Sequence, residues 1–536
     1  MTEGASKLNA VHEVLLTALG WSVLQSKYCT KGTAIIKRLY RQILGLWRDE
    51  MSRHCYSILG LPRMVLNWDV LFLIMEFVDR CSLLPYVQTC HTLYKAGVPH
   101  LLRVNTPIYF GKHLNVKSFC HFILGEFPSR LRYLREVEFP KKFWLRKKDT
   151  ISQLAEVLRN APFLEKVTIS AAERFFEIGP ELGAALREAT SIRELSLDGV
   201  GDQALSVLTR MRSPLNSVEL CADAVPVADC LDPNKVLASF SSSLRQLKVR
   251  WVQFENTSIQ YPHVHTLSIE DDNFVPMDML IHVFPNLQSL SITTNTGVEL
   301  DEEEALHIHN ENMRAQARLS WPSLNYLEGD VMLLYCLAPT CKVRCLSVWP
   351  SSSDVARLVQ VCKSTRPESI KIYFHMDKLS VEELRMILRS TDVKHLSATI
   401  DAYDVNGLKD IRAYIHQLRD LFQTLTITTL YFRFIWHPTP TEWFRTEHFE
   451  TENDDESSLV APLRTPNPVQ QYLHSLNVKT CMRKTADYIK TLRYAFFDMP
   501  GKPMSYWEIF RTEEGTISSF EQFSNEAGEQ IVQETF

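Results

Sequence analysis

A short phrase keeps returning in this chain: a proline, one or no residue, then an aliphatic ladder. It stands as Pro162-Phe-Leu164-x-x-Val167-x-Ile169, Pro262-His-Val264-x-x-Leu267-x-Ile269 and Pro285-Asn-Leu287-x-x-Leu290-x-Ile292. Looser copies are Pro322-Ser-Leu324-x-x-Leu327 and Pro214-Leu215-x-x-Val218-x-Leu220. The ladder recurs without proline at Ile192-x-x-Leu195-x-Leu197, Leu244-x-x-Leu247-x-Val249, Val343-x-x-Leu346-x-Val348 and Val393-x-x-Leu396. Repetition constrains the fold more than any single residue does, because a unit that cannot bury its own apolar face must stack on its neighbours. A stacked array offers a long continuous surface rather than an enclosed reaction chamber. That favours recognition over catalysis.

The spacing makes the repeat quantitative. The central aliphatics stand at 167, 195, 218, 247, 267, 290, 327, 346, 370, 396 and 430, so the steps are 28, 23, 29, 20, 23, 37, 19, 24, 26 and 34. Inside each ladder the alternation has the period of a strand with one buried face. Before several ladders comes a helical pattern: Ile151, Leu154, Ala155 and Leu158 share a face, with Thr150 as the expected cap and Pro162 as the stop. Val355, Leu358, Val359 and Cys362 repeat that arrangement before Ile370, and Val381, Leu384, Ile387 and Leu388 do so before Leu396.

Strand, loop and helix in this order resemble an irregular leucine-rich repeat horseshoe. The resemblance implies an α/β solenoid over residues 130–510, with parallel strands inside and helices outside, and leaves 511–536 as a C-terminal tail. One departure is clear. The turn asparagine expected after each ladder stands only at Asn295, with Asp272 as a substitute once, so the turns need other partners. Residues between the ladder aliphatics are expected on the concave sheet. They are mostly short in the middle (Thr266, Ser268, Glu270, Ser289, Ser291, Thr293) and large towards the C-terminus (Trp349, Tyr373, Tyr431, Arg433). Trp, Tyr and Arg most often dominate binding energy at interfaces, which makes those four the candidate target-binding residues.

Residues 61–104 carry a second pattern. Leu66, Val70, Ile74, Phe77 and Val78 recur at helical spacing, followed by Asp79, Leu83 and Leu84, then Cys90, Leu93 and Tyr94. So small a helical unit has more apolar surface than it can bury by itself, which suits docking onto another protein. The pattern resembles an F-box. Asp69 stands at the usual glutamate, Asn67 replaces the proline, and Leu71 fills the leucine that follows Val70. The resemblance implies that Leu66, Asp69, Val70, Leu71, Ile74, Phe77, Val78, Leu83 and Leu84 contact a Skp-type adaptor. An F-box ahead of leucine-rich repeats is a known architecture, and the aromatic-rich Tyr506-Trp507-Glu508-Ile509-Phe510 is similar to its large fungal set.

The rest of the chain sets bounds. The 45% hydrophobic and 23% charged content is that of a soluble globular protein. Twelve singly scattered cysteines suit a reducing compartment, cytoplasmic or nuclear. The apolar stretch 14–24 is too short to span a bilayer and lacks a basic leader, so no membrane partner is expected. Residues 1–150 hold 22 basic against 11 acidic side chains, or +11, and the remainder 36 against 52, or −16, which together give the net −5. A basic N-terminal third suits an acidic partner. Its cluster Lys141, Lys142, Arg146, Lys147 and Lys148 reads better as a solvated loop than as a nucleic-acid patch.

Three clustered thiols, Cys336, Cys341 and Cys345, lack a fourth ligand at zinc spacing, and His307 and His309 are two apart on a predicted helix, so no metal or other cofactor is expected. Phosphate loops, HExxH and GxSxG are absent from the sequence, and no enzyme activity is expected. The segment 436–468, with five prolines and seven acids, breaks the rhythm as a solvated insertion. The leading expectation is therefore the substrate receptor of a cullin-RING ubiquitin ligase, holding an unidentified protein target; the alternative is a leucine-rich scaffold or inhibitor unconnected to ubiquitin.

Overall fold

The computed structural model describes residues 68–78, 80–103, 107–110, 116–126, 128–141, 147–222, 232–254, 258–271, 275–294, 300–402, 408–435 and 468–536. The N-terminal extension 1–60, Leu66, Asp79, the basic residues 142–146, Asp272, Asn295 and the acidic insertion 436–467 lie outside them. The fold is α/β, with mostly parallel strands, and the chain divides into two compact units, Met1–Leu215 and Asn216–Phe536.

Among the described residues, the first unit carries helices Trp68–Phe77, Arg80–Val87 and His91–Arg103, followed by strands β1 (Ile108–Tyr109), β2 (Glu136–Phe139), β3 (Lys166–Ile169) and β4 (Glu194–Asp198). Neighbouring strands pair in parallel and in chain order. The second unit carries β5 (Ser217–Cys221), β6 (Gln246–Arg250), β7 (Thr266–Glu270), β8 (Ser289–Thr293), β9 (Ser323–Gly329), β10 (Lys342–Val348), β11 (Ser369–His375), β12 (His395–Asp401), β13 (Thr429–Ile435), β14 (Tyr494–Asp498), β15 (Ser505–Arg511) and β16 (Ile517–Gln522). Its pairing is parallel through β14 and antiparallel from β14 to β15 to β16.

All eleven central aliphatics of the repeat lie in strands, and the register brings them level. In the second unit Val218, Leu247, Leu267, Leu290, Leu327, Leu346, Ile370, Leu396 and Leu430 are successive cross-strand partners. None is more than 2% exposed, so this row is the spine of the core. Helices cover it: Phe432 of β13 packs edge-on against Phe422 of helix Leu408–Phe422 at 6.1 Å. In the first unit, Phe139 of β2 meets Phe175 of helix Ala172–Ile178 at 4.8 Å.

The backbone shows why the ladder phrase repeats. Two successive N–H groups at the start of a strand converge on one carbonyl of the strand before it. Glu165 and Lys166 donate to the Arg135 carbonyl, His265 and Thr266 to Arg245, Gln288 and Ser289 to His265, and Thr428 and Thr429 to Lys394. Each acceptor stands two residues before its own ladder aliphatic, so one unit's entry becomes the next unit's anchor. This fork satisfies buried main-chain groups without any particular side chain.

The longest and shortest steps differ in the helices they enclose. The steps of 37 and 34 residues enclose the 15-residue helices Glu302–Gln316 and Leu408–Phe422, whereas the step of 19 encloses the seven-residue Val331–Leu337. With few turn asparagines, other side chains close the turns. Glu173 accepts the Gln203 and Ala204 N–H groups at 2.9 and 3.1 Å. Buried Asn312 accepts from Met277 N at 3.0 Å and donates to the Cys336 carbonyl at 2.8 Å. Gln316 donates to the carbonyls of Leu337 and Ala338 and accepts from Thr340 N.

One expectation needs correction. Thr150 is not a cap: the helix runs Lys148–Asn160, Lys147 precedes it without a side-chain cap, and Thr150 is buried in the first turn. Residues 511–536, the C-terminal tail, are built into the fold. Arg511 ends β15, β16 pairs back onto it, and helix Asn525–Thr535 follows.

Candidate interaction surfaces

On the first three helices, one apolar stripe turns inward. Met75, Leu83, Val87, Leu93 and Leu101 form a cluster, with Leu71, Phe72, Val78, Tyr86 and Ala96 packed against it. Leu83 is fully buried, where it joins the helices to each other. Leu71 and Val78 also pack against this cluster. Asp69 and Glu76 are exposed and Ile74 is half-buried, while Leu73 and Leu84 are 53% and 49% exposed. Leu66 and the side chains of Val70 and Phe77 lie outside the described residues. Leu73 was missed because it is not an F-box consensus position. Its signal was phase: at 100° per residue it falls at least 100° from Leu71, Ile74, Met75 and Val78, and within about 60° of Asp69 and Glu76.

The second surface is the face of the sheet opposite the buried spine, its open face. Three of the four expected target residues stand level on it. Tyr373 and Arg433 share one row through Thr399, and Trp349, just past β10, follows Val348, the partner of Ile372. Tyr431 lies one row nearer the strand starts. Trp349 is 38% exposed. It lines an open pocket of about 390 Å³ with Thr294, Asp330, Met332, Asp354 and Arg357.

Polar groups hold the other side chains in place. Tyr373 donates its hydroxyl to Asp401 at 3.0 Å, and His375 Nδ1 lies 3.6 Å from the same carboxylate. Arg433 pairs with Asp498 at 3.0 Å. Burial, followed by the Asp498 carboxylate, raises the Tyr431 pKa. The arrangement presents aromatic and guanidinium groups in fixed orientations, which suits recognition of a protein surface. Compared with known proteins, the sequence matches no family model and no curated protein.

Part of the open face carries a cover. Helix Asn525–Thr535 lies against it, with Gly528 on the Tyr506 ring. Its last turn reaches back to three earlier strands. Arg344 donates to the Glu534 carbonyl at 2.8 Å and Ser369 to that of Thr535 at 3.1 Å, and the Phe536 ring meets His395 edge-on at 6.4 Å.

Burial lowers the His395 pKa, partly offset by Glu368, with Lys394 and Arg344 lowering it further. The unfolded chain therefore binds the proton more readily, and this contribution to stability is present above the ordinary value of about 6.5 and lost as pH falls below it. We expect the urea midpoint to drop more between pH 7.5 and 5.5 in the native protein than in His395→Gln. Equal drops would assign that pH dependence elsewhere.

The thiols and histidines raised as metal candidates are accounted for structurally. Burial pushes the Cys336 thiol up to about 12 and those of Cys341 and Cys345 up to about 11. His309 Nδ1 lies 2.7 Å from the Tyr335 carbonyl and its ring stacks on that tyrosine, while His307 faces Glu311. Among the described residues no three His, Cys, Asp or Glu side chains gather as a metal site, and no helix is long and apolar enough to cross a membrane.

Proposed function

We propose that the chain is the substrate-recognition subunit of an SCF-type ubiquitin ligase. Its N-terminal helices would bind a Skp-type adaptor, and through it a cullin, while the open face holds a protein target. The observation that carries this reading is the pair of exposed leucines, Leu73 and Leu84, on a small helical cluster that precedes the in-register repeat. Catalysis would then be positional: a bound target lysine meets a raised local concentration of the ubiquitin thioester carried by other subunits. Trp349, Tyr373, Tyr431 and Arg433 are the proposed target contacts. The reading as a scaffold or inhibitor without ubiquitin draws support from Leu83, whose burial fits a helical cap on the solenoid.

Purified adaptor separates the two. Because Leu73 and Leu84 are exposed, Leu73→Asp with Leu84→Asp leaves the core cluster intact. The double variant should lose adaptor affinity at least tenfold while keeping its thermal midpoint. An adaptor that ignores the native, folded protein, or binds the variant equally, would rule out the receptor.

A further inference from the structure

We propose that the strip of open face beneath helix Asn525–Thr535 is a docking site for an acidic helix of a target protein, and that the chain's own helix occupies it as a displaceable stand-in. This rests on the reading of the open face as the target surface and adds the class of ligand.

The strip differs from the rest of its row. Ser217, Gln246, Thr266, Ser289, Tyr326, Cys345, Ser369, His395, Thr429 and Tyr494 are successive cross-strand partners. The first five are exposed or half-buried, whereas Cys345, Ser369 and Thr429 are at most 3% exposed although they point the same way. These small side chains leave a trough, and the helix end seats in it.

What the trough takes from the helix is general. Arg344 and Ser369 read main-chain carbonyls of a last helical turn, which any helix offers. Specificity comes from Gly528: a Cβ there would stand 2.0 Å from Tyr506 Cγ, so a ligand needs glycine at that turn. The helix carries Glu526, Glu529 and Glu534 and no basic residue, and Arg344 and Lys371 stand on the strands beneath its end.

The hold is thin. Gly528 is the one buried residue of the helix, and Ile531 and Val532 are half-buried. Only Phe523 and Ser524 join it to β16, with Ser524 capping its first turn. So few buried contacts place the helix at the low-stability end of the molecule, where displacement costs least.

The test uses a fluorescent peptide of residues 523–536 and the full-length protein. Gly528→Val in the protein drives its own helix off Tyr506 and should raise peptide affinity at least tenfold over the native chain. A chain lacking 524–536 should do the same, which covers any misfolding of the valine variant. A peptide keeping Gly528, Ile531, Val532 and the glutamates, with its exposed positions scrambled, should still bind; one with Gly528→Val should not. No binding to either opened variant, equal binding to the native chain, or equal binding of the valine peptide would each overturn the proposal. Adaptor binding, read in parallel, is independent. Peptide exchange without adaptor binding removes the ligase reading alone, and adaptor binding without peptide exchange removes this site alone.

Discussion

Asn312→Ala should destabilise the second unit by about 3 kcal/mol, or about 5 °C in thermal midpoint. The side chain is 7% exposed and serves two helix ends at once, accepting from Met277 N and donating to the Cys336 carbonyl. Both are buried main-chain groups at helix termini, where no intrahelical partner exists. Truncation leaves each without a bond, and each unsatisfied group costs about 1–3 kcal/mol. Asn310, on the same helix but exposed, is the control: Asn310→Ala should change stability by less than about 0.5 kcal/mol. Similar changes in the two variants, read by chemical denaturation, would show that the two bonds do not set the effect.

Gly329→Ala should cost about 2–3 kcal/mol by crowding. Gly329 closes β9 in the core row, between Ile292 of β8 and Val348 of β10. A Cβ there would stand 2.3 Å from the Ile292 carbonyl oxygen and 3.2 Å from Leu334 Cδ2. Leu334 can turn; the carbonyl belongs to the neighbouring strand and cannot move without parting the sheet. Native stability in Gly329→Ala would mean that β8 and β9 are not held this closely. Such a core position looks unimportant in the sequence, because glycine interrupts a row otherwise filled by aliphatics.

That row shows where sequence reasoning reached its limit. Eleven strands were legible because Leu, Ile or Val marked the repeat. β2 escaped although Leu134-x-x-Val137-x-Phe139 has the same spacing: its last rung is aromatic, and Phe139 is buried on the helix side like Ile169 beside it. β1, two residues long, has no periodicity to read. The antiparallel β15 and β16 lie beyond the repeat altogether, where Tyr506 is buried on the opposite face from the ladder residues, beneath a helix that composition could not place.

The open face was partly legible for a physical reason. Alternation fixes which side a strand residue takes, so Tyr373, Tyr431 and Arg433 were assignable; it says nothing of what lies on top. The first helices show the converse. A consensus names Leu83 and Leu84 together, but adjacent helical residues point in different directions, and only packing decides which is buried.

The reversal at β15 has a consequence for how such a stack stops. A parallel array built on one repeated backbone fork is self-templating: its final edge offers the next strand the same geometry as every strand before it, including a strand from a second molecule. β14 does not present that edge, because β15 runs against it, and β16 pairs on the far side with a register break at Phe510 and Arg511. The outermost strand shows solvent Ser518, Ser519, Glu521 and Gln522. An incoming copy would find the wrong strand direction, a broken register and polar side chains. The hairpin acts as a chain terminator for the sheet, separating a finite stack from the filament that its own repeat would otherwise propagate.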